Sequence, residues 1–484
     1  MLLLLLAATV SFHARYPSQY LVWLATGEAL LASAAAFLAL LSGVFTLSKG
    51  RQELRRTLLF LLAVTFVVFL MHMYIIDSPP TSGCGTGAKP GCIMDEVYYV
   101  PAAQSLLSGQ QCSPYADSCN MEHPFLAKAI IAAGIALFGF NDTGWRFFIA
   151  LLGTLSIPLL FVLVKLVSGS DRLSYFSTLL FASDTLFFVH SSAALIDVPP
   201  VFFALLGFIF YFWGRGYWLL DRYVISGIFL GLSALSKETS LFFITLLVTY
   251  HAVSSGSGLR RWAYDSLKVM LTASLVFAVG LQVYDSLFAS GSVPIFYQHV
   301  EFMLRYGSGL TGGGWTDAVL KTYITPLNWL LYYSPVDYFV TNVTVPSQGG
   351  QPITYTSVGY YGVPNFMVVW LVFAWVPVAV SRLSTVGQSG ARSGEDRAAL
   401  FALVWLAWTY VPYILLWLYG RVTYPFYLLP AIPALSIGAA YFITRDWFPR
   451  KIALLYLAAT FLWFFYYFPV KDFLPLWLRE LIGR

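Results

Sequence analysis

Residues 49–92 read KGRQELRRTLLFLLAVTFVVFLMHMYIIDSPPTSGCGTGAKPGC. Lys49, Arg51, Arg55 and Arg56 precede a mostly apolar run at 57–76, and a turn-rich, cysteine-bearing stretch follows it. A run of ~20 apolar residues matches a helix crossing the hydrocarbon core of a bilayer. Lys and Arg favour the cytoplasmic flank of such a helix. One segment therefore predicts a class and a direction: basic end inside, cysteine end outside.

The same pattern recurs along the 484 residues, which are 58% hydrophobic and only 11% charged, where soluble domains carry about a quarter charged residues. This composition excludes a soluble globular enzyme, and no nucleic-acid partner is expected. Candidate spans are 20–47, 57–76, 145–167, 174–190, 198–213, 223–236, 240–253, 268–288, 364–381, 398–417, 424–443 and 452–468, about 12 in all. The pair 223–236 and 240–253 is short enough to be tilted or broken. Residues 1–12 are too short to span and lack the basic start of a signal peptide. With alternating spans, 17 of the 28 Lys and Arg fall in short loops on one side, read as cytoplasmic. The expectation is an all-α polytopic protein with both termini outside. It divides into an extra N-terminal segment (1–56), a membrane domain (57–470) and an external tail (471–484).

Cys84, Cys92, Cys112 and Cys119 all fall in the first external segment, 77–144. Their confinement to a loop placed outside on charge predicts two disulfides. Three pairings are open, of which 84–92 with 112–119 is the most local. Zinc is disfavoured, because the spacing lacks a C-x2–4-C knuckle. Within this segment 95–108 and 123–139 read as helices. Counting the second as a span would invert every later loop, so it is expected to lie in the outer interface. The second external segment, 289–363, carries the sequon Asn342-Val343-Thr344. No internal repeat is visible, which weakens a transporter reading.

An ionisable side chain costs ~2.5–3.5 kcal/mol at mid-bilayer and marks function when retained. The outer ends of the spans collect Asp95, Glu96, His123, Lys128, Arg146, Asp197, Lys237, Glu238 and Arg421. Each has an ordinary explanation. Asp95 and Glu96 suit a first helical turn, Lys128 could snorkel, Arg146 could anchor a span to headgroups, and Asp197 could be a cap. Lys237 in SKETS and Arg421 in GRVTYPF oppose the positive-inside trend, and a functional role is favoured for them.

The order of motifs decides the reading. An acidic pair is followed by HPFLAK (123–128), GWRFFIALLGTLSIPLL (144–160), LIDVPPVFF (195–203), GLSALSKETS (231–240), PLNWLLYYSPVDY (326–338) and RVTYPFYLLPAIPAL (421–435). Over roughly residues 57–470 this resembles the protein O-mannosyltransferase family, with its C-type multi-span glycosyltransferase fold. The resemblance implies transfer of a sugar, typically mannose, from polyprenyl or dolichyl phosphate to Ser or Thr hydroxyls. The second external segment is too short for the β-trefoil domain of eukaryotic members, so a prokaryotic type is implied. The usual HPPL stretch here reads HPFL, and an extra span precedes the family's first helix.

That chemistry needs a base for the acceptor hydroxyl and cations for the leaving phosphate. Asp95 is assigned as base, with Glu96 orienting it or binding acceptor. Lys237, Arg146 and Arg421 are assigned to the donor phosphate, with Lys128 as a further candidate. His123, Asp197, Tyr424 and Tyr427 would shape the pocket. A monophosphate leaving group suits basic side chains without a cofactor, while a divalent metal at Asp95 or Glu96 stays open. The partners are then a lipid-phosphate sugar donor, membrane lipids, and a protein or lipid acceptor. The rival readings are an aminoarabinose-transferase-like enzyme with a lipid or glycan acceptor, a transporter, and a noncatalytic membrane subunit.

Overall fold

The structure, a computed structural model, describes residues 50–78, 84, 92–114, 117–213, 221–254, 258–289, 291–293, 295–311, 325–331, 335–345, 353–389 and 393–469. The expected span 20–47, with Glu28, and the tail 471–484 lie outside these residues.

Helix α1 (Arg51–Ile75) runs from the basic cluster through the apolar stretch of the opening motif. Helix α2 (Glu96–Ser108) and helix α3 (Leu126–Phe138) follow in the first long segment. Helix α4 (Asp142–Ser168) is the central helix. The Asn141 side chain accepts from Gly144 N at 2.9 Å and caps it, and Asp142 and Lys165 occupy its dipole-favoured ends. Helices α5 (Asp171–Ala182), α6 (Thr185–Ser191), α7 (Val198–Trp213), α8 (Arg222–Ser236), α9 (Leu241–Ser254) and α10 (Leu259–Phe288) continue the bundle. Helix α11 (Phe296–Gly309) and the short α12 (Pro326–Leu331) precede a hairpin, β1 (Val336–Val345) with β2 (Ile353–Gly362). The short α13 (Phe366–Val369), α14 (Val372–Ser389), α15 (Gly394–Leu418), α16 (Ile432–Ile443) and α17 (Arg450–Tyr466) complete the chain, and a 3-10 turn, Pro425–Ala431, enters α16.

Six segments among the described residues are long and apolar enough to cross a membrane: Arg51–Ile75, Asp142–Ser168, Leu259–Phe288, Phe366–Thr385, Gly394–Leu418 and Pro425–Ile443. Helices α3, α7 and α8 are shorter and apolar. α1 and α10 expose Leu62, Phe66, Leu271 and Leu275, as helices facing lipid do.

Three expectations change. The span 174–190 is two helices broken at Ser183–Asp184. The Asp184 carboxylate caps α6 through Phe187 N (2.8 Å) and accepts Asn365 N (2.9 Å), which fixes the break. Helix α3 does not lie on a surface, since Leu126 to Ile135 are all buried. The backbones of α3 and α4 meet so closely that a Cβ at Gly134 would collide with the Gly144 carbonyl. The regular structure of the described residues is helical apart from one isolated bridge, Thr311 with Arg421, and the hairpin, whose strands pair from Val336↔Gly362 to Val345↔Ile353.

The two ends of the bundle differ chemically. At one end Lys165 pairs with Glu53 (3.2 Å) and with Asp171, and Arg445 pairs with Glu395 (3.5 Å) and Asp396 (3.1 Å). This end holds the basic loops. The opposite end gathers α2, α11, the hairpin and the 3-10 turn. There Cys84 bonds to Cys92 and Cys112 to Cys119, the most local pairing.

Candidate active site

Asp95 is placed by its neighbours on both sides. Met94 sits in the left-handed region at φ 49, a conformation costly for a residue with a side chain. It is held there by Met94 N donating to Tyr338 O at 3.0 Å. Glu96 is fully buried and accepts from Arg146 Nε (2.8 Å), Arg146 Nη2 (3.0 Å), Ala194 N (2.9 Å) and Ile93 N (3.0 Å). The start of α2 is therefore pinned. Asp95 itself makes no side-chain capping bond. Burial and the nearby Asp197 push its carboxyl above the ordinary range, opposed by Lys237, His123 and His190.

Lys237, His190 and Asp197 lie together near Asp95. Lys237 is the C-cap of α8, extended at φ −158, between two apolar helices. Its ammonium meets Asp197 Oδ1 at 2.5 Å and lies 5.8 Å from the ring centre of Tyr427 and 5.9 Å from that of Phe426. Burial would raise the Asp197 carboxyl, but Lys237 and His190 hold it well below the ordinary range. His190 Nδ1 bonds Asp197 Oδ2 at 3.2 Å, and its Nε2 bonds Tyr338 Oη at 2.8 Å. At the rim His123 Nδ1 meets Glu238 Oε2 at 2.9 Å. Burial opposes ionisation of Glu238, yet His123 and Lys237 bring it down to about 2.

The four cations assigned to phosphate separate into two kinds. Arg146 is fully buried, and its guanidinium is spent on Glu96, Asp142 (3.2 Å) and the Ile76 carbonyl (3.1 Å). Lys128 is 1% exposed and donates to the carbonyls of Cys119 (3.3 Å), Asn120 and His123 (2.8 Å). Burial lowers its ammonium to about 7, against the pull of Glu122 and Glu238. The assignment of these two to phosphate is corrected: both have their donors engaged inside the protein. Arg421 differs. It is part-exposed and forms no ion pair among the described residues, its Nε has no hydrogen-bond partner among them, and it acts electrostatically on Tyr427. Lys237 and Arg421 both act electrostatically on Tyr427.

Tyr424 stacks on Phe426 at 5.4 Å, and Tyr427 lies 5.0 Å from Tyr413, forming an aromatic side to the pocket. His190 and Tyr338 join Asp197 in one hydrogen-bonded chain that the sequence reading did not single out. His190 sits in FFVHSS, which reads as span interior; its one signal is a histidine seven residues before Asp197. Tyr338 ends the PLNWLLYYSPVDY motif.

Residues 122–283 match the family model described as dolichyl-phosphate-mannose-protein mannosyltransferase. A polyprenol-phosphate-mannose–protein mannosyltransferase of Mycolicibacterium smegmatis is 26% identical over 318 residues, 54% of this chain and 61% of that protein. Its counterpart in Mycobacterium tuberculosis is 34% identical over 116 residues, 24% of this chain and 22% of that protein. The chain thus spans less than two thirds of the curated relatives it matches. The structure of the S. cerevisiae protein O-mannosyltransferase Pmt1-Pmt2 complex bound to the sugar donor aligns with a TM-score of 0.58 at 13% identity, covering 86% of this chain and 90% of that one. The resemblance read from the motifs is borne out, and the fold is the C-type multi-span glycosyltransferase fold.

Proposed function

We propose that this relative of the protein O-mannosyltransferases moves a mannosyl group from polyprenyl or dolichyl phosphate to a Ser or Thr hydroxyl of a protein, on the extracytoplasmic face. The observation that carries the reading is Asp95. It is an acid of raised pKa without a side-chain capping bond, on a pinned helix start, within electrostatic reach of Lys237, and Lys237 and Arg421 both act on Tyr427. The side assignment rests on the basic loops gathering at the opposite end of the bundle.

In this mechanism Asp95 takes the proton from the acceptor hydroxyl as its oxygen attacks the anomeric carbon. The bond between that carbon and the phosphate oxygen breaks, and the polyprenyl phosphate leaves with the electron pair. Attack opposite the leaving group inverts the anomeric centre in one step. Arg421 and Lys237 stabilise the charge developing on the phosphate, in a site where water is partly excluded. Lys237 stays protonated beside Asp197, and His190, itself held by Tyr338, holds Asp197 in place. Glu96 and Arg146 keep Asp95 in position rather than touching substrate. The phosphate is met by basic side chains, and no metal is assigned a role. The test is transfer from purified lipid-linked mannose to a Ser/Thr-rich peptide. Glycopeptide formed by the wild type and lost in Asp95→Asn supports the reading.

A further inference from the structure

Helix α11 is strapped across the site end at both termini. Phe296 N donates to Gln282 Oε1 at 3.0 Å. His299 bridges Asp285 Oδ1 and the Met121 carbonyl, each at 2.7 Å. At its other end Val422 N donates to Leu310 O at 2.9 Å, and Thr311 pairs with Arg421. His299, Met303 and Tyr306 are spaced i, i+4, i+7 and share the inward face. His299 and Met303 are buried, yet Tyr306 on the same face is 43% exposed. Tyr306 is thus left open to solvent at the end of that face, beside the site.

What surrounds Tyr306 is acidic and phenolic. Burial, then Glu122, Tyr98, Asp95 and Tyr424, all push the Tyr306 phenol up. Tyr98 is likewise 43% exposed. Gly307, the next residue, turns the other way: a Cβ there would meet Arg421 Nη2 at 3.7 Å. The last turn of α11 therefore divides the mouth into a cationic side suited to phosphate and an acid-lined side that repels it.

We infer that Tyr306 and Tyr98 form the acceptor subsite, receiving an extended hydroxyl-bearing peptide whose flanking residues are neutral or basic. The inference rests on the protein-acceptor reading above. Tyrosine suits the role because its ring contacts backbone and apolar groups while the phenol bonds peptide amides. Arg421 and Lys237 keep the anionic donor on the other side, so the two substrates meet at Asp95.

The test measures donor and acceptor KM separately with purified protein, lipid-phosphate mannose and synthetic Ser/Thr peptides flanked by Lys or by Asp. Tyr306→Ala and Tyr98→Ala should each raise the acceptor KM about tenfold, as truncation of an aromatic that a bound partner covers does, with donor KM unchanged. Tyr306→Phe should fall between. Tyr297→Ala, on the outward face at 54% exposure, should change neither. The Lys-flanked peptide should have the lower KM. Unchanged acceptor KM in both alanine variants, a raised donor KM instead, or an equal effect of Tyr297→Ala as a membrane anchor would overturn the inference. If the wild type glycosylates no peptide at all, the function itself is wrong, a distinct outcome.

Discussion

Replacing Arg146 by Met separates a structural cation from a substrate-binding one. Arg146 and Glu96 are both fully buried and joined by two bonds of 2.8 and 3.0 Å. Removing one partner of a buried pair costs about 3–5 kcal/mol, because the other charge is left uncompensated. Glu96 keeps two backbone N–H donors, Ile93 and Ala194, so the lower end, about 3 kcal/mol, is expected. The double variant Arg146→Met with Glu96→Gln should recover about 1 kcal/mol or more of it, since the stranded charge is gone. Unfolding of the detergent-solubilised protein, followed through its 15 tryptophans, reads these differences. Donor affinity of the folded fraction should stay within about threefold of wild type, while turnover falls because the start of α2 loosens around Asp95. Unchanged stability combined with lost donor binding would return Arg146 to the phosphate and refute the structural assignment.

Asp95→Asn should abolish turnover and leave donor binding largely intact, because Asn keeps shape but takes no proton. Arg421→Ala and Lys237→Ala should instead weaken donor binding by roughly 10- to 100-fold, the worth of one charged hydrogen bond; a donor-binding assay beside a turnover assay checks both. In the wild type kcat/KM should fall as pH drops through the Asp95 pKa, and the inflection should lie above the ordinary aspartate value of about 3.9; an inflection at or below that value contradicts a buried base. Activity should persist in EDTA, measured on protein freed of divalent ions. Cys112→Ser with Cys119→Ser should lower stability by about 2 kcal/mol, as for a short closed loop.

Sequence pattern revealed the membrane class, the order of most helices and the nearness of Asp95, His123, Asp197 and Lys237. Apolar run length and charge asymmetry are local quantities, and a chain displays them directly. What it hid depends on partners. Arg146 and Lys128 look like free cations beside helix ends, and only packing shows that Glu96 and three carbonyls have claimed them. His190 is hidden because the break at Asp184 lies inside one apolar run. α3 has the composition of an interfacial helix, and only its close approach to Gly144 shows that it is internal. The hairpin depends on pairing between segments that carry no strong alternation.

The central claim is one-step sugar transfer to a protein hydroxyl with Asp95 as base. Incubation of purified protein with anomerically defined polyprenyl-phosphate mannose and a Ser/Thr-rich peptide tests it most directly, with mass and NMR reading the product. The account predicts a mannosylated peptide of inverted anomeric configuration, absent with Asp95→Asn. A product of retained configuration, sugar appearing on lipid and never on peptide, or full activity in Asp95→Asn would contradict it.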